Sequence, residues 1–380
     1  MVRHALLSAS SSDRWIHCPP SARLCADLED VSSEYAAQGT DAHALCEHLV
    51  KESLGWPTVD PAPHLSYYDE EMLDSALAYR DFVISRYESA KEYSSDPLIM
   101  LEQRLDYSKY VPEGFGTGDC IIFADDVMNI IDFKYGLGVL VNAKENTQLM
   151  CYALGALESF GYLYGISRVM MTIFQPRRGN IDTWEMSVKE LHTWAEKVLR
   201  PAARLAYEGK GSFRAGSHCR FCKVKETCRT RAEHNMELLK YEFKEPPLLS
   251  NEEIADILKA AEHLSSWASD VKDYALSEAL TGVKYPGFKV VAGKANRKFT
   301  DEEAVASTLL EAGYDPYAKK LLSITALSRK LGQKTFEELL GSYITKPKGS
   351  PVLVEDSDKR PDYFLAAEEF KENNDDKEEN

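Results

Sequence analysis

The residues in this sequence best suited to chemistry are two aspartates and a lysine. Asp119 precedes an apolar run, Cys120 to Phe123, while Asp132 and Lys134 close a second, Val127 to Phe133. Strand alternation puts Asp132 and Lys134 on one face and Phe133 on the other. If Asp125 and Asp126 form a two-residue hairpin tip, facing residues have numbers that sum to 251, as Asp119 and Asp132 do. Two carboxylates side by side in an apolar sheet repel each other and are costly to desolvate, so they call for a cation. An all-oxygen site of this kind suits Mg²⁺ or Mn²⁺.

Downstream, Gln148 and Tyr152 stand four apart in a helical segment, hence on one face. By spacing alone, the same set also fits a structural ion pair at the end of a sheet.

Gly-x-x-Asp, then Ile-Asp-Phe-Lys-Tyr-Gly, then Gln-x-x-x-Tyr resembles the core of the PD-(D/E)XK nuclease superfamily. In particular it resembles the RecB-type branch, with its CRISPR-adaptation nucleases and phage recombination exonucleases. The resemblance extends through much of residues 1–231. It implies a restriction-endonuclease-like α/β fold, a mixed sheet flanked by helices, and a divalent-metal-dependent deoxyribonuclease. Gly39-Thr40-x-x-His43 matches the family's Gly-Thr-x-x-His, whose histidine binds the catalytic metal. Asp119, Asp132, His43 and the Phe133 carbonyl are then the expected metal ligands. Lys134 is expected to handle the attacking water and the phosphate charge, with Gln148 and Tyr152 positioning Lys134 and the DNA backbone. Asp132 stands where the superfamily often has Glu, and the RecB-type branch accepts Asp there.

Local reading places Thr40 or Asp41 as a helix cap with His43 in the first turn, and Glu47 one turn later in support. The strand from Pro97 to Tyr107 carries Glu102, which suits either the metal site or a pair with Arg104.

Eight cysteines in a chain expected to be cytoplasmic do not suggest a disulfide framework. Cys25, Cys46, Cys120 and Cys151 sit in apolar or helical contexts and read as packed thiols. Cys219, Cys222 and Cys228 cluster, and three thiolates need a fourth ligand. The resemblance supplies Cys18, in a Cys-Pro that follows a serine-rich opening, and implies a 4Fe–4S cluster on Cys18, Cys219, Cys222 and Cys228. Residues 214–231 hold six Arg and Lys against Glu226 alone, which suits a phosphate-tracking surface or a solvated basic face.

The formal net charge of −16 argues against tight nonspecific binding of duplex DNA without excluding a local basic channel. Part of it is local, since residues 368–380 contain seven acids and two lysines and read as a disordered tail. No apolar run of the roughly 18 residues that mark a spanning helix occurs, and no signal-peptide pattern opens the chain. A bacterial host cytoplasm and no membrane partner are expected. No Walker A loop or helicase motif is present, so the chain is not itself a motor.

The expected organisation is a nuclease domain over residues 1–235, a mainly helical module over 250–345 and an acidic tail over 346–380. The order β-β-β-α-β suits the first, and a long helix from Ser250 to about Leu280, capped by SNEE, opens the second and suits a spacer, a docking arm or a dimer contact. A strand is expected at Tyr285–Ala292. The second module resembles parts of phage and prophage proteins with an amino-terminal RecB-like nuclease. The leading expectation is thus an exonuclease acting on DNA ends or single strands beside phage recombination or replication proteins. A noncatalytic DNA-binding or partner-binding scaffold on the same fold is the alternative.

Overall fold

The computed structural model describes residues 5–28, 34–237, 250–291 and 301–345, apart from 313, 318–321, 323, 325, 326, 328–330 and 332. The expected tail over 346–380 lies outside the described residues. The chain divides into two compact units, Met1–Val291 and Ala292–Asn380.

The first unit is a mixed α/β structure around a five-stranded sheet, β1 (Leu98–Asp106), β2 (Phe115–Ala124), β3 (Val127–Phe133), β4 (Arg168–Gln175) and β5 (Asn180–Ser187), in sequence order. All neighbours are antiparallel except β3 and β4. Ala124 pairs with Val127, so Asp125 and Asp126 form the hairpin tip, and Asp125 takes the left-handed backbone (φ 52°) that such a turn needs. Cys120 pairs with Ile131, the expected register.

Alternation along these strands separates two cores. Ile121, Phe123, Met128 and Ile130 face α5 (Thr147–Phe160), with Trp15 of α1 (Ser12–His17) packed in the same core. Cys120, Ile122, Ile131 and Phe133 face α3 (Glu34–Ser53) and α4 (Glu70–Tyr93). The connection from β3 to β4 is α5, as a parallel pair requires. Its close seating depends on Gly155, where a Cβ would lie 2.9 Å from Leu105 Cβ.

Two local expectations are corrected. Thr40 and Asp41 do not cap α3, which already runs from Glu34. Thr40 bonds back to the Ala36 carbonyl at 3.1 Å, and Asp41 accepts the Tyr67 amide at 2.9 Å, so His43 lies mid-helix. Residues 285–291 do not form a strand. Tyr285-Pro286-Gly287-Phe288 is a turn, closed by the Phe288 amide on the Tyr285 carbonyl at 3.1 Å with Gly287 at φ 81°.

After β5, α6 (Val188–Trp194) passes through a π-helical turn into α7 (Arg200–Glu208). The short α2 (Ser21–Leu24) follows α1, and α8 (Arg229–Met236) begins directly after the last cysteine of the cysteine-rich segment. The long α9 (Asn251–Leu280) falls in the first unit rather than opening the second. Its Asp270 bonds both Lys225 and Arg231 at 2.7 Å. In the second unit the described helices include α10 (Glu302–Glu311) and α11 (Gln333–Leu340), the latter followed by a 3-10 turn at Gly341–Tyr343.

Candidate metal centre

At the carboxyl end of β3 and the middle of α3, side chains far apart in sequence converge. His43 Nδ1 lies 3.5 Å from Asp119 Oδ1 and 3.9 Å from Glu102 Oε1. One ligand atom from each of His43, Glu102 and Asp119 falls within 4.8 Å of the others. Glu102 takes φ 45° without breaking the β1–β2 register. It meets the site and not Arg104, whose guanidinium lies over the Phe115 ring at 3.9 Å. The His43 ring is held edge-on against Phe133 at 5.4 Å.

Asp119 Oδ2 accepts the Phe133 amide at 2.7 Å, fixing its carboxylate across the two strands. Asp132, only 2 % exposed, sits beside Lys134, with Oδ2 2.9 Å from Nζ. Gln148 joins the group together: its Oε1 accepts from Lys134 Nζ at 3.1 Å, and its Nε2 reaches Asp132 Oδ1 at 3.2 Å and Tyr152 Oη at 3.0 Å.

Two further residues support this group. Asn146 caps α5 by accepting the Gln148 and Leu149 amides, fixing the turn that carries Gln148; an Asn directly before a helical run is its signal. Gly116 leaves room for the Tyr152 ring, whose Cε1 would lie 2.8 Å from a Cβ there. Glu47 pairs with Lys51 and His48 turns to Thr58 and Asp60, so neither joins the site.

The protonation pattern reflects crowded acids. Burial, then the nearby Asp132 and Glu102, pushes Asp119 up to about 7 despite the opposing pull of His43. Burial alone would lower His43, but Asp119 and Glu102 outweigh it and raise it to about 9. Burial likewise opposes the charge on Lys134, yet Asp132 and Asp119 leave its pKa above the usual lysine range. A proton or a cation is therefore needed among these oxygens.

The cysteine-rich segment is separate. Cys18, Cys219, Cys222 and Cys228 line one small cavity with Arg14, Lys225 and Arg231. Among the described residues, no three cysteines bring their sulfurs within the 4.8 Å span found for His43, Glu102 and Asp119. Cys18 ends α1 and Cys228 precedes α8, while His17 and His218 stack at 5.5 Å across the junction. Cys25 is not an isolated packed thiol: its Sγ lies 3.8 Å from Cys222 Sγ. A wide groove of about 1340 Å³ passes by, lined by Arg14, Arg104, Phe115, Arg220, Phe221 and Lys223 among others.

Among the described residues, no helix is long and apolar enough to cross a membrane. A solved structure titled "Crystal structure of SSO0001" is 16% identical over 49% of this chain and 95% of that one, with a TM-score of 0.23, too low to bear on the fold. The family described as "Protein of unknown function (DUF2800)" matches residues 4–361, taking in the candidate metal centre, the cysteine segment and the long helix. The chain belongs to that family.

Proposed function

We propose that the chain is a divalent-metal-dependent deoxyribonuclease with a RecB-type PD-(D/E)XK core. The observation that carries this reading is the convergence of His43, Glu102 and Asp119 on one point beside a buried Asp132 that is paired with Lys134. Carboxylate oxygens with one imidazole suit Mg²⁺ or Mn²⁺, and the Phe133 carbonyl is the proposed backbone ligand. A cation held there supplies Lewis-acid charge and lowers the pKa of water.

The remaining work falls to the protein. Lys134, raised in pKa, stays an ammonium and places positive charge where the scissile phosphate gains negative charge. Its Nζ also orients the water whose oxygen forms the new P–O bond as the bridging P–O bond breaks, the proton that this water sheds ending on the departing alkoxide. Gln148 holds Lys134 and Asp132 in register, and Tyr152 holds Gln148. The groove lined by Arg104, Arg220 and Lys223 supports DNA as partner, as ends or single strands.

The proposed 4Fe–4S cluster is assigned to the four cysteines that line the small cavity, where Arg14, Lys225 and Arg231 would face its negative charge. A place in phage recombination or replication belongs to the same proposal and rests on the resemblance.

Digestion of end-labelled single- and double-stranded DNA tests the function. Cleavage with Mg²⁺ or Mn²⁺ that stops on chelation supports it. No cleavage of either substrate by anaerobically purified protein supports a noncatalytic scaffold instead.

A further inference from the structure

We infer that Cys25 and Cys222 are a redox modification site, a thiol pair that a hydroperoxide converts to a disulfide. Their sulfurs lie 3.8 Å apart although the residues are 197 positions apart in the chain. Both side chains are nearly buried, at 4 % and 8 % exposure. The two thiols face different spaces: Cys25 lines the wide groove, and Cys222 lines the small cavity that it shares with Cys18, Cys219 and Cys228. Arg14 borders both spaces and keeps positive charge beside the pair. A small oxidant entering by the groove therefore meets Cys25 first.

The chemistry balances without any further reagent. Cys25 sulfur attacks the hydroperoxide, the O–O bond breaks, and Cys25 becomes a sulfenic acid as an alcohol or water leaves. The Cys222 thiol then attacks that sulfur, an S–S bond forms, and hydroxide leaves with the thiol proton as water. Two thiols are oxidised and one hydroperoxide is reduced. A short side-chain movement brings the sulfurs from contact to bonding distance. Disulfides of this transient, sensing kind are the ones found in reducing compartments.

The consequence rests on the cluster reading: a Cys222 sulfur held in a disulfide no longer ligates iron, so cluster and disulfide exclude each other. The pair itself does not depend on that reading.

The test uses the full chain, purified anaerobically, stripped of iron by chelation and treated with stoichiometric hydrogen peroxide. The expected result in a non-reduced digest is a peptide joining Cys25 to Cys222, released by dithiothreitol. Iron uptake on reconstitution should fall to background after peroxide and return after reduction. In Cys25→Ser, iron uptake before peroxide should match wild type, and Cys222 should then advance to sulfinic acid. Cross-links from Cys222 chiefly to Cys18, Cys219 or Cys228 would overturn the proposal, as would free or over-oxidised Cys25 and Cys222 in the wild type. Loss of iron from reduced Cys25→Ser would also overturn it, by making Cys25 a ligand. If that variant does not fold, the wild-type map alone decides. If the reduced wild type never takes up iron, the cluster reading fails while the map still decides the thiol pair.

Discussion

The Asp119 carboxylate accepts the Phe133 amide at 2.7 Å, so one candidate ligand is fastened to the strand that presents the other, Asp132, and the lysine that follows. This bond ties β2 to β3 at the site, while Gln148 reaches Lys134 and Asp132 from α5. Gln148→Leu removes the bridge among Lys134, Asp132 and Tyr152 without opening a large void. The expected effect is a fall in kcat of about 10–100-fold with little change in substrate KM, since misplaced groups cost orientation more than binding. Steady-state cleavage assays with Gln148→Leu and the conservative Gln148→Glu check this.

Metal-free protein should lose stability as pH rises from about 4 to about 9. Asp119 is raised to about 7 from 3.8, and His43 to about 9 from 6.5, so in both windows the folded state binds more protons than the unfolded. For Asp119 this is a penalty that grows as pH rises from its unfolded value to its folded one. For His43 it is a contribution fully present below its unfolded value and lost as pH rises through 9. His43 keeps a third of its side chain exposed, so salt should weaken its share. Melting curves in chelator across this range test the slope; added Mn²⁺ should reverse it, because deprotonated ligands bind metal better.

Asp270→Ala should loosen α9 from the cysteine segment. It deletes bonds of 2.7 Å to Lys225 and to Arg231, whose side chain is only 7% exposed. Arg231 retains the Lys225 carbonyl at 3.1 Å, and Asp270 is itself 15% exposed, so the cost should fall near 1–3 kcal/mol, roughly that of a charge-assisted hydrogen bond. Urea unfolding measures it, and limited proteolysis should show faster cutting within α9.

Cys18→Ser should abolish iron binding and destabilise the first unit, because Cys18, at the end of α1, is the one cavity cysteine that lies about 200 residues before the cysteine-rich segment. Iron and sulfide assays after anaerobic purification should give about four irons per wild-type chain. One zinc and no iron would contradict the cluster.

Much of the centre was legible because short-range geometry sets it. A two-residue turn at Asp125–Asp126 fixes the facing register, and a four-residue helical spacing fixes Gln148 and Tyr152 on one face. The sequence leaves Glu102 open because its partner choice depends on how β1 lies against α3, a tertiary fact. Asp41 resembles a cap, but its carboxylate finds the Tyr67 amide instead, and the helix begins earlier. The apolar run after Tyr285 suggested a strand, while Pro286-Gly287 imposes a turn. The Asp270 clamp and the Cys25–Cys222 approach join positions far apart in sequence, which no local pattern records.

The central claim is tested most directly by comparing wild type with Asp132→Asn and Lys134→Ala in cleavage of end-labelled linear DNA with Mn²⁺. Iron content and melting temperature are measured on the same preparations. The account predicts rates at least about 10²-fold below wild type in both variants, in the range lost when a group that stabilises transition-state charge is removed, with iron retained and the fold intact. Wild-type cleavage by Asp132→Asn, in a preparation free of contaminating nuclease, would contradict it.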